Sequence, residues 1–283
     1  MPTWFLSALL LLGMVLPLSV LAAQAGKPDV RTVIQQCYYK EWGRDQRSRL
    51  LFRMRNNSGR VTKKRKLIRF WKDYRGRGDV ASKMMLFTVA PPEYRGNNYL
   101  RINYTPGSGR RAEQWVYLKR LQSVRRLSIR EQDNMDWGII GEDLTMRQFD
   151  EDAHVLTAFS EAHGHTAYEV ESRPRLENSA YSRYVSHYVR TAGWDSCILT
   201  HRDSYDQAGN LIKRADFTWR RLGDAWAMDS LAIVIERPPR QGAKKKKKAP
   251  VRLFITYRFT EPEVNIGLKD SDFSQRNLQR GIR

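Results

Sequence analysis

The chain has 283 residues, of which 41% are hydrophobic, and carries a formal net charge of +20 at pH 7. Its 8 Trp and 13 Tyr residues indicate an ordered chain, and only one segment is long and apolar enough to span a membrane, which excludes a multi-span membrane protein. A strongly basic chain first suggests a nucleic-acid partner. If the chain is exported, lipid headgroups or envelope glycans are the expected polyanions, and solvated strand faces are the alternative explanation of the charge.

The N-terminal segment has the pattern of an export signal. Residues 1–25 contain no charged side chain, and Ala23-Gln24-Ala25 is a small-x-small site directly before Gly26. We therefore predict a cleaved signal peptide over residues 1–25 and one mature domain over residues 26–283. The alternative is an uncleaved anchor, because about 20 apolar residues also suffice to cross a bilayer.

The first element of the mature chain is predicted to be an amphipathic helix. Apolar residues recur from Val30 to Tyr38 at the i, i+3, i+4, i+7 spacing of one helix face, and Asp29 is a plausible N-cap. The helix contains Cys37, and Cys197 is the only other cysteine. An exported chain permits a disulfide between them. Two unpaired buried thiols are the alternative.

The rest of the chain is rich in predicted β-strands. Runs of β-branched, aromatic and aliphatic residues alternate with Gly, Pro, Asn and Asp clusters, which predicts about ten strands in a curled antiparallel sheet. The predicted strands lie at Arg49–Arg55, Lys63–Trp71, the Met84–Phe149 region, Tyr168–Glu171, Ser182–Arg190, Ile198–Tyr205, Leu211–Arg221, Trp226–Glu236 and Val251–Thr260. The cations of Lys63–Trp71 are predicted to lie on a solvated outer face, and a nucleic-acid patch is the alternative. The Lys244–Lys248 run is predicted to be a solvated hairpin loop, and contact with anionic lipid is the alternative.

Catalytic motifs are missing from the sequence. It contains no G-x-S-x-G, P-loop, H-E-x-x-H, G-x-G-x-x-G or C-x-x-C pattern. His163-Gly164-His165 lies in a polar stretch, Ser160–Thr166, that predicts a surface loop rather than a metal site. Glu142-Asp143 is interpreted as the start of a short helical turn, where carboxylates favour the helix dipole. The sequence therefore shows no recognisable catalytic motif, and we predict no metal and no cofactor.

A series of short motifs runs through the mature chain in a fixed order. They are Phe87 with Pro91, Arg95-Gly96 with Leu100, Trp115-Val116-Tyr117-Leu118, Val124-Arg125-Arg126, Gly141 with Asp143, Ala180–Arg183, and D-x-x-F-S-x-R-x-L over Asp270–Leu278. In this order they resemble the LolA-like, outer-membrane lipoprotein-sorting proteins of bacterial periplasms. Two departures are Asn97 in place of the group's Thr and Lys119 in place of its Pro. Residues 142–147 also lack the group's S-Y-E-D ending, which leaves the ligand open.

The resemblance implies a mainly β fold: a single unclosed β-barrel with an N-terminal helix and a short helical lid. It also implies a periplasmic carrier without enzyme activity that takes lipoprotein or lipid acyl chains from an inner-membrane transporter toward an outer-membrane acceptor. We expect a monomer that does not bind nucleic acid. The competing hypotheses are a non-catalytic accessory component of an envelope export complex and a secreted hydrolase, which the missing nucleophile motif disfavours.

The ligand site is predicted in the hollow of the sheet, under the Val30–Tyr38 helix. Alternation places Trp115 and Tyr117 on one strand face and Val116 and Leu118 on the other, and the aromatic pair is assigned to the cavity. The further predicted lining residues are Leu86, Leu100, Leu127, Phe217 and Trp219. Arg95, Arg125 and Arg126 are predicted to meet headgroups or an acidic partner at the mouth or on the outer face.

Overall fold

A computed structural model describes residues 27–38, 42–75, 77–105, 108–127, 144, 149–175, 179, 181–237 and 251–282. Within these ranges the chain forms one antiparallel sheet of thirteen strands and two α-helices. The strands are β1 Asp45–Arg55, β2 Val61–Asp73, β3 Val80–Ala90, β4 Asn98–Tyr104, β5 Glu113–Leu118, β6 Ser123–Arg126, β7 Asp152–Ala162, β8 His165–Pro174, β9 Arg183–Arg190, β10 Ile198–Tyr205, β11 Leu211–Leu222, β12 Ala225–Arg237 and β13 Val251–Val264. The helices are α1 Val30–Cys37 and α2 Gln275–Arg280.

The sheet is a meander in which one pairing joins two strands that are far apart in the sequence. Its strand order is β6-β5-β4-β3-β2-β1-β13-β12-β11-β10-β9-β8-β7, so consecutive strands are neighbours except between β6 and β7. The last strand, β13, pairs with the first, β1, and this pairing joins the two halves of the sheet. Within the described residues β6 and β7 are the two edge strands, each paired on one side only. The predicted single antiparallel sheet that does not close into a barrel is therefore confirmed.

The sheet curls toward the face on which α1 lies. On that face the Trp42 ring lies 5.4 Å from the Trp71 ring of β2 and 5.3 Å from the Trp219 ring of β11. The Trp71 and Trp219 rings are thus no more than about 11 Å apart. Their strands, β2 and β11, are four positions apart, which in a flat sheet is a separation of roughly 19 Å. We call this concave side the interior face and the other side the outer face.

Helix α1 forms as its pattern predicts. Asp29 caps it by accepting a hydrogen bond from the Arg31 amide, and Val33, Ile34 and Cys37 are buried on one side. The structure joins Cys37 to Cys197 by a disulfide, which fixes the C-terminal end of α1 beside the start of β10.

One strand, β7, was not predicted, because its exposed edge position leaves it without a clear alternating pattern. The surface turn predicted within Ser160–Thr166 is present at His163 and Gly164, and the residues on either side of it belong to β7 and β8. The predicted signal peptide, the Lys244–Lys248 loop and most of the predicted lid lie outside the described residues. Leu144 is described, and its side chain is buried in the interior.

Candidate ligand-binding interior

The interior face carries one continuous apolar cluster, which we call the interior cluster. It combines α1 and Trp42 with side chains from twelve of the thirteen strands, all except β6, because alternate residues of each strand point to the same side of the sheet. Its most completely buried members include Val33, Phe52, Val170, Leu231, Ile255 and Tyr257. Side chains of these strands therefore meet α1 in the hollow of the curled sheet.

A second, smaller apolar cluster lies on the outer face. There Phe273 and Leu278, from the C-terminal segment, pack against Met85, Phe87 and Leu100. Ser274 caps α2 by accepting a hydrogen bond from the Asn277 amide. The D-x-x-F-S-x-R-x-L motif thus supplies the two apolar side chains and the cap that dock the C-terminus on the sheet.

The N-terminal Asp of this motif forms its own anchor. Asp270 pairs with Lys72 at 3.0 Å and accepts a hydrogen bond from the Tyr74 hydroxyl at 2.8 Å. Burial alone would raise the pKa of Asp270, but these hydrogen bonds lower it below its ordinary value. The carboxylate is therefore ionised where the C-terminal segment meets β2.

The predicted cavity residues divide between the two faces. Leu86, Leu127 and Phe217 belong to the interior cluster, and Trp219 packs against it. Leu100, Trp115 and Tyr117 instead lie in the outer cluster. Assigning these three to the cavity under α1 was wrong. The pairing of Val116 with Tyr99 and Arg125 puts Val116 on the interior face, so Trp115 and Tyr117 point outward.

The three predicted surface arginines are exposed. Arg95 and Arg126 lie near this outer cluster, whereas Arg125 pairs with Val116 and so points to the interior-face side at the sheet edge. Arg95 donates from Nε to the Val89 carbonyl at 3.0 Å and lines an outer-face groove of about 440 Å³ with Tyr117 and Arg280. Arg126 pairs with Glu113 at 3.0 Å. Their exposure leaves them accessible to an external anionic group.

Two of the departures from the group's motifs, Asn97 and Lys119, are joined by one hydrogen bond. The Asn97 side-chain oxygen accepts from the Lys119 backbone amide at 2.9 Å. A proline at 119 has no amide hydrogen to donate, so the Asn97 and Lys119 departures form a matched pair. They stabilise the turn beside Gly96, whose φ of +85° is in the region that favours glycine.

One end of the interior carries a buried polar network on β7, β9 and β10. Tyr184 donates a short hydrogen bond to Asp152, and Arg202 donates from Nε to Ser186 at 3.0 Å. The Arg202 guanidinium also lies 5.2 Å from the Tyr184 ring centroid. Burial raises the pKa of nearby Tyr188 to about 12, so this phenol is neutral at ordinary pH.

A second polar group lies on the interior side of β1 and β2. Gln46 donates from its amide to the carbonyls of Trp42 at 2.6 Å and Trp226 at 2.8 Å. Its oxygen accepts from Arg69 Nη1 at 3.2 Å. Arg65 and Arg69 are both buried, so the prediction that all cations of this strand lie on a solvated face was wrong. They alternate with exposed Lys64 and Lys66 because successive side chains point to opposite faces.

Neither Trp42 nor Gln46 was predicted as a site residue. Trp42 lies in the short connection after α1, and neither helical nor strand periodicity indicates which way a connecting residue points. Among the described residues there is no group of three or more His, Cys, Asp or Glu side chains placed to hold a metal ion. No helix in the described ranges has the length and apolarity needed to cross a membrane.

Comparison with solved structures identifies related folds. A DUF1329 family protein from Desulfovibrio piger has a TM-score of 0.71 and 22% identity, over 88% of this chain and 97% of that chain. A domain from Vibrio parahaemolyticus described as an outer membrane lipoprotein-sorting protein has a TM-score of 0.70 and 19% identity, over 88% and 96%. A LolA superfamily protein from Nitrosomonas europaea has a TM-score of 0.61 and 10% identity, over 88% and 98%.

The sequence comparisons add a family match. A search of curated proteins finds no match. The model of a family described as "Uncharacterized protein" matches residues 81–280, which is more than half of the chain. The chain therefore belongs to this family of uncharacterised proteins, and its fold is the LolA-like fold of the three similar structures.

Proposed function

We propose that this protein is a non-catalytic periplasmic carrier that holds acyl chains of a lipid or lipoprotein against the interior cluster. The observation that supports this most directly is the cluster itself, a continuous apolar core inside a sheet that, within the described residues, does not close between β6 and β7. The Vibrio parahaemolyticus relative, described as a lipoprotein-sorting protein, agrees in fold. Burying an acyl chain contributes about 0.8 kcal/mol per CH₂ group.

The proposed entry route for an acyl chain follows from the side chains that occupy the interior. Trp42 lies between Trp71 and Trp219, at the point where the two halves of the sheet approach each other. Val33 and Ile34 of α1 are buried in the same cluster. An acyl chain would enter by displacing the Trp42 ring and the apolar side of α1, and would take over their contacts with the sheet.

In this proposal the carrier receives its cargo from an inner-membrane transporter and passes it to an outer-membrane acceptor. Arg95, Arg125 and Arg126 are the proposed contacts with headgroups or with an acidic partner, because all three side chains are exposed. The filled interior favours the alternative of an accessory component of an export complex that uses this fold without cargo. The cargo experiment separates the two functions.

The experiment is analysis of bound cargo and of acyl-probe binding. Protein purified without detergent is extracted with organic solvent, and the extract is analysed by mass spectrometry. The stripped protein is then titrated with a fluorescent fatty acid. We expect acyl compounds in the extract and saturable binding of the probe. An empty extract together with no saturable binding would contradict the carrier function and favour the accessory one.

A matched pair of variants locates the site. Phe217→Glu places a charge in the interior cluster and should weaken probe binding at least tenfold, since an ionised carboxylate is poorly solvated there. Trp115→Glu places the same charge in the outer cluster and should change binding less than twofold. Circular dichroism checks that both variants fold, and Trp219→Ala is a milder interior change. Loss of binding in Trp115→Glu alone would move the site to the outer face.

A further inference from the structure

The interior face contains hydrogen-bond donors that have no acceptor within the described residues. They are the Ser48 hydroxyl, Arg69 Nε, Trp71 Nε1 and the Gln114 side-chain amide. Ser48 is 4% exposed, Arg69 3% and Trp71 1%, so bulk water does not reach them. Because a buried polar group without a partner is costly, a cluster of such donors indicates that an acceptor is meant to bind there.

Three of these donors occupy neighbouring positions in the sheet. Ser48 of β1 and Arg69 of β2 are direct cross-strand partners, and Trp71 follows two residues after Arg69 on the same strand. Side chains at these positions point to one face and lie within about 7 Å of each other at the backbone. The donors therefore converge on one part of the interior, next to the Trp42 ring that packs on Trp71.

One guanidinium nitrogen of Arg69 is hydrogen-bonded, whereas its Nε has no acceptor among the described residues. Its Nη1 donates to the Gln46 oxygen at 3.2 Å, and its guanidinium carbon lies 5.9 Å from the Trp71 ring centroid. Gln46 is fixed in turn by the carbonyls of Trp42 and Trp226. No carboxylate of the described chain forms an ion pair with Arg69. Gln46 thus acts as a positioning residue for an arginine that has no anionic partner among the described residues.

Burial makes this arrangement unfavourable without a ligand. Loss of solvation lowers the pKa of Arg69 to about 10, still well above neutral pH, so the side chain is cationic in an apolar environment. A guanidinium presents several N–H groups that match the two oxygens of a carboxylate or phosphate. An oxyanion would satisfy the charge and the neighbouring Ser48 and Trp71 donors together.

We propose that Arg69, with Ser48 and Trp71, binds the oxyanion of an anionic acyl ligand, either a carboxylate or a phosphate, inside the sheet. This inference rests on the proposed carrier function and specifies its cargo. The acyl chain would lie along the interior cluster, and its charged end would be buried at β1 and β2. The site would therefore select anionic amphiphiles over neutral ones of equal chain length.

The test compares ligands that share an oleoyl chain and differ in the headgroup. The probes are oleate, oleoyl lysophosphatidate and monooleoyl glycerol below their micellar concentrations, together with inorganic phosphate alone. We expect the wild-type protein to bind the two anionic lipids at least tenfold more tightly than the neutral lipid. Arg69→Met retains the side-chain volume, removes the charge, and should bind all three lipids within about threefold of one another. Arg69→Lys should recover part of the discrimination.

Arg101→Met is the matched control. Arg101 is also buried on the interior face, but its Nε already donates to Asn103 at 2.8 Å, so its loss should leave the discrimination intact. Equal loss in both variants would assign the effect to general positive potential and overturn the Arg69 site. Inorganic phosphate that stabilises the protein as much as oleate does would identify a free-anion site instead, and would overturn the acyl part of the inference.

The lipid-binding results distinguish the oxyanion site from the carrier function. If all three lipids bind but the wild type does not discriminate between them, or if Arg69→Met still discriminates, the oxyanion site is wrong and the carrier function stands. If none of the lipids binds to the wild type, the carrier function is wrong. A second readout is the melting temperature without ligand. Removal of an unpaired buried charge should not lower it, and a large decrease would assign Arg69 a packing role.

Discussion

His154 on β7 is held in its neutral form by the surrounding structure. Its Nε2 lies 2.9 Å from the Phe149 carbonyl and its Nδ1 lies 2.8 Å from the Ser172 hydroxyl. The carbonyl can only accept, so Nε2 carries the proton and Nδ1 accepts from Ser172. Burial is the main cause that lowers the pKa of His154 below its ordinary 6.5. The imidazole is therefore a structural link between β7, β8 and the turn before β7.

This histidine should make the protein less stable in mild acid. Above pH 6.5 the folded and unfolded chains both hold it neutral. As the pH falls below 6.5, the unfolded chain binds a proton first, and stability is lost down to the lower folded pKa. Urea unfolding at pH 7.5 and pH 5.5 should show a smaller change in midpoint for His154→Gln than for the wild type. His165→Gln, at an exposed position, is the control, and an unchanged wild-type midpoint would contradict the prediction.

The face on which a side chain lies could be predicted only for strands whose two faces differ in composition. In β11, Phe217 alternates with exposed polar residues, and its interior position agrees with the sequence interpretation. In β5, Trp115, Val116 and Tyr117 are all apolar, so alternation separates them without indicating which side is concave. In β2, Arg69 has the same charge as its exposed neighbours. Only the tertiary structure places it inside.

At the scale of elements, the two helices differ in how much the sequence indicates. α1 follows a helical pattern over more than two turns with an Asp cap, and its boundaries were predicted to within one residue. α2 has six residues, too few for a periodic signal, and it is stabilised by the Ser274 cap and by burial of Leu278. Tertiary packing rather than local propensity therefore determines α2.

The Cys37–Cys197 disulfide is expected to stabilise the attachment of α1. The bond links residues 160 positions apart, and closing so long a loop contributes about 2 to 5 kcal/mol through the unfolded state. Reduction of the wild-type protein should lower its free energy of unfolding by that amount, measured in urea with and without reductant. The Cys37→Ala/Cys197→Ala variant should be insensitive to reductant. Equal unfolding midpoints for oxidised and reduced wild type would contradict the prediction.

At the scale of the whole molecule, local turns explain most of the strand pairings but not the pairing of β13 with β1. The turn clusters separate hairpins such as β1–β2 and β10–β11, so neighbouring strands could be paired from the sequence. The pairing of β13 with β1 joins segments about 200 residues apart, and local turn chemistry carries no information about it. The resemblance to LolA-like proteins, not the residue pattern, supplied the expectation of an unclosed sheet.

The net charge of the molecule should attract it to anionic membranes through its outer face. Arg53, Arg55 and Arg258 line a groove of about 390 Å³ beside half-exposed Val61, and within the described residues none of the three arginines has an ion pair. On the same face of β1, Arg47 and Arg49 instead pair with Glu263 and Glu261. Only the first set is thus free to meet phosphate headgroups.

Vesicle binding tests this difference. The wild type should bind vesicles that contain phosphatidylglycerol and dissociate as salt rises, because screening weakens exposed charge pairs. Arg53→Gln/Arg55→Gln should weaken binding roughly thirtyfold, at about 1 kcal/mol per cation. Arg47→Gln/Arg49→Gln removes the same net charge and should have a clearly smaller effect. Equal losses would show that binding follows total charge rather than this groove.

The two unpaired edges have a geometric consequence. In a closed barrel the number of strands and their stagger fix the circumference, and no change in girth is possible without breaking backbone hydrogen bonds. Within the described residues β6 and β7 are not joined, so a change in the curvature of the sheet would break none of the twelve strand pairings. Under the proposed carrier function, a sheet of adjustable curvature would hold cargo of different cross-section, a single acyl tail or several.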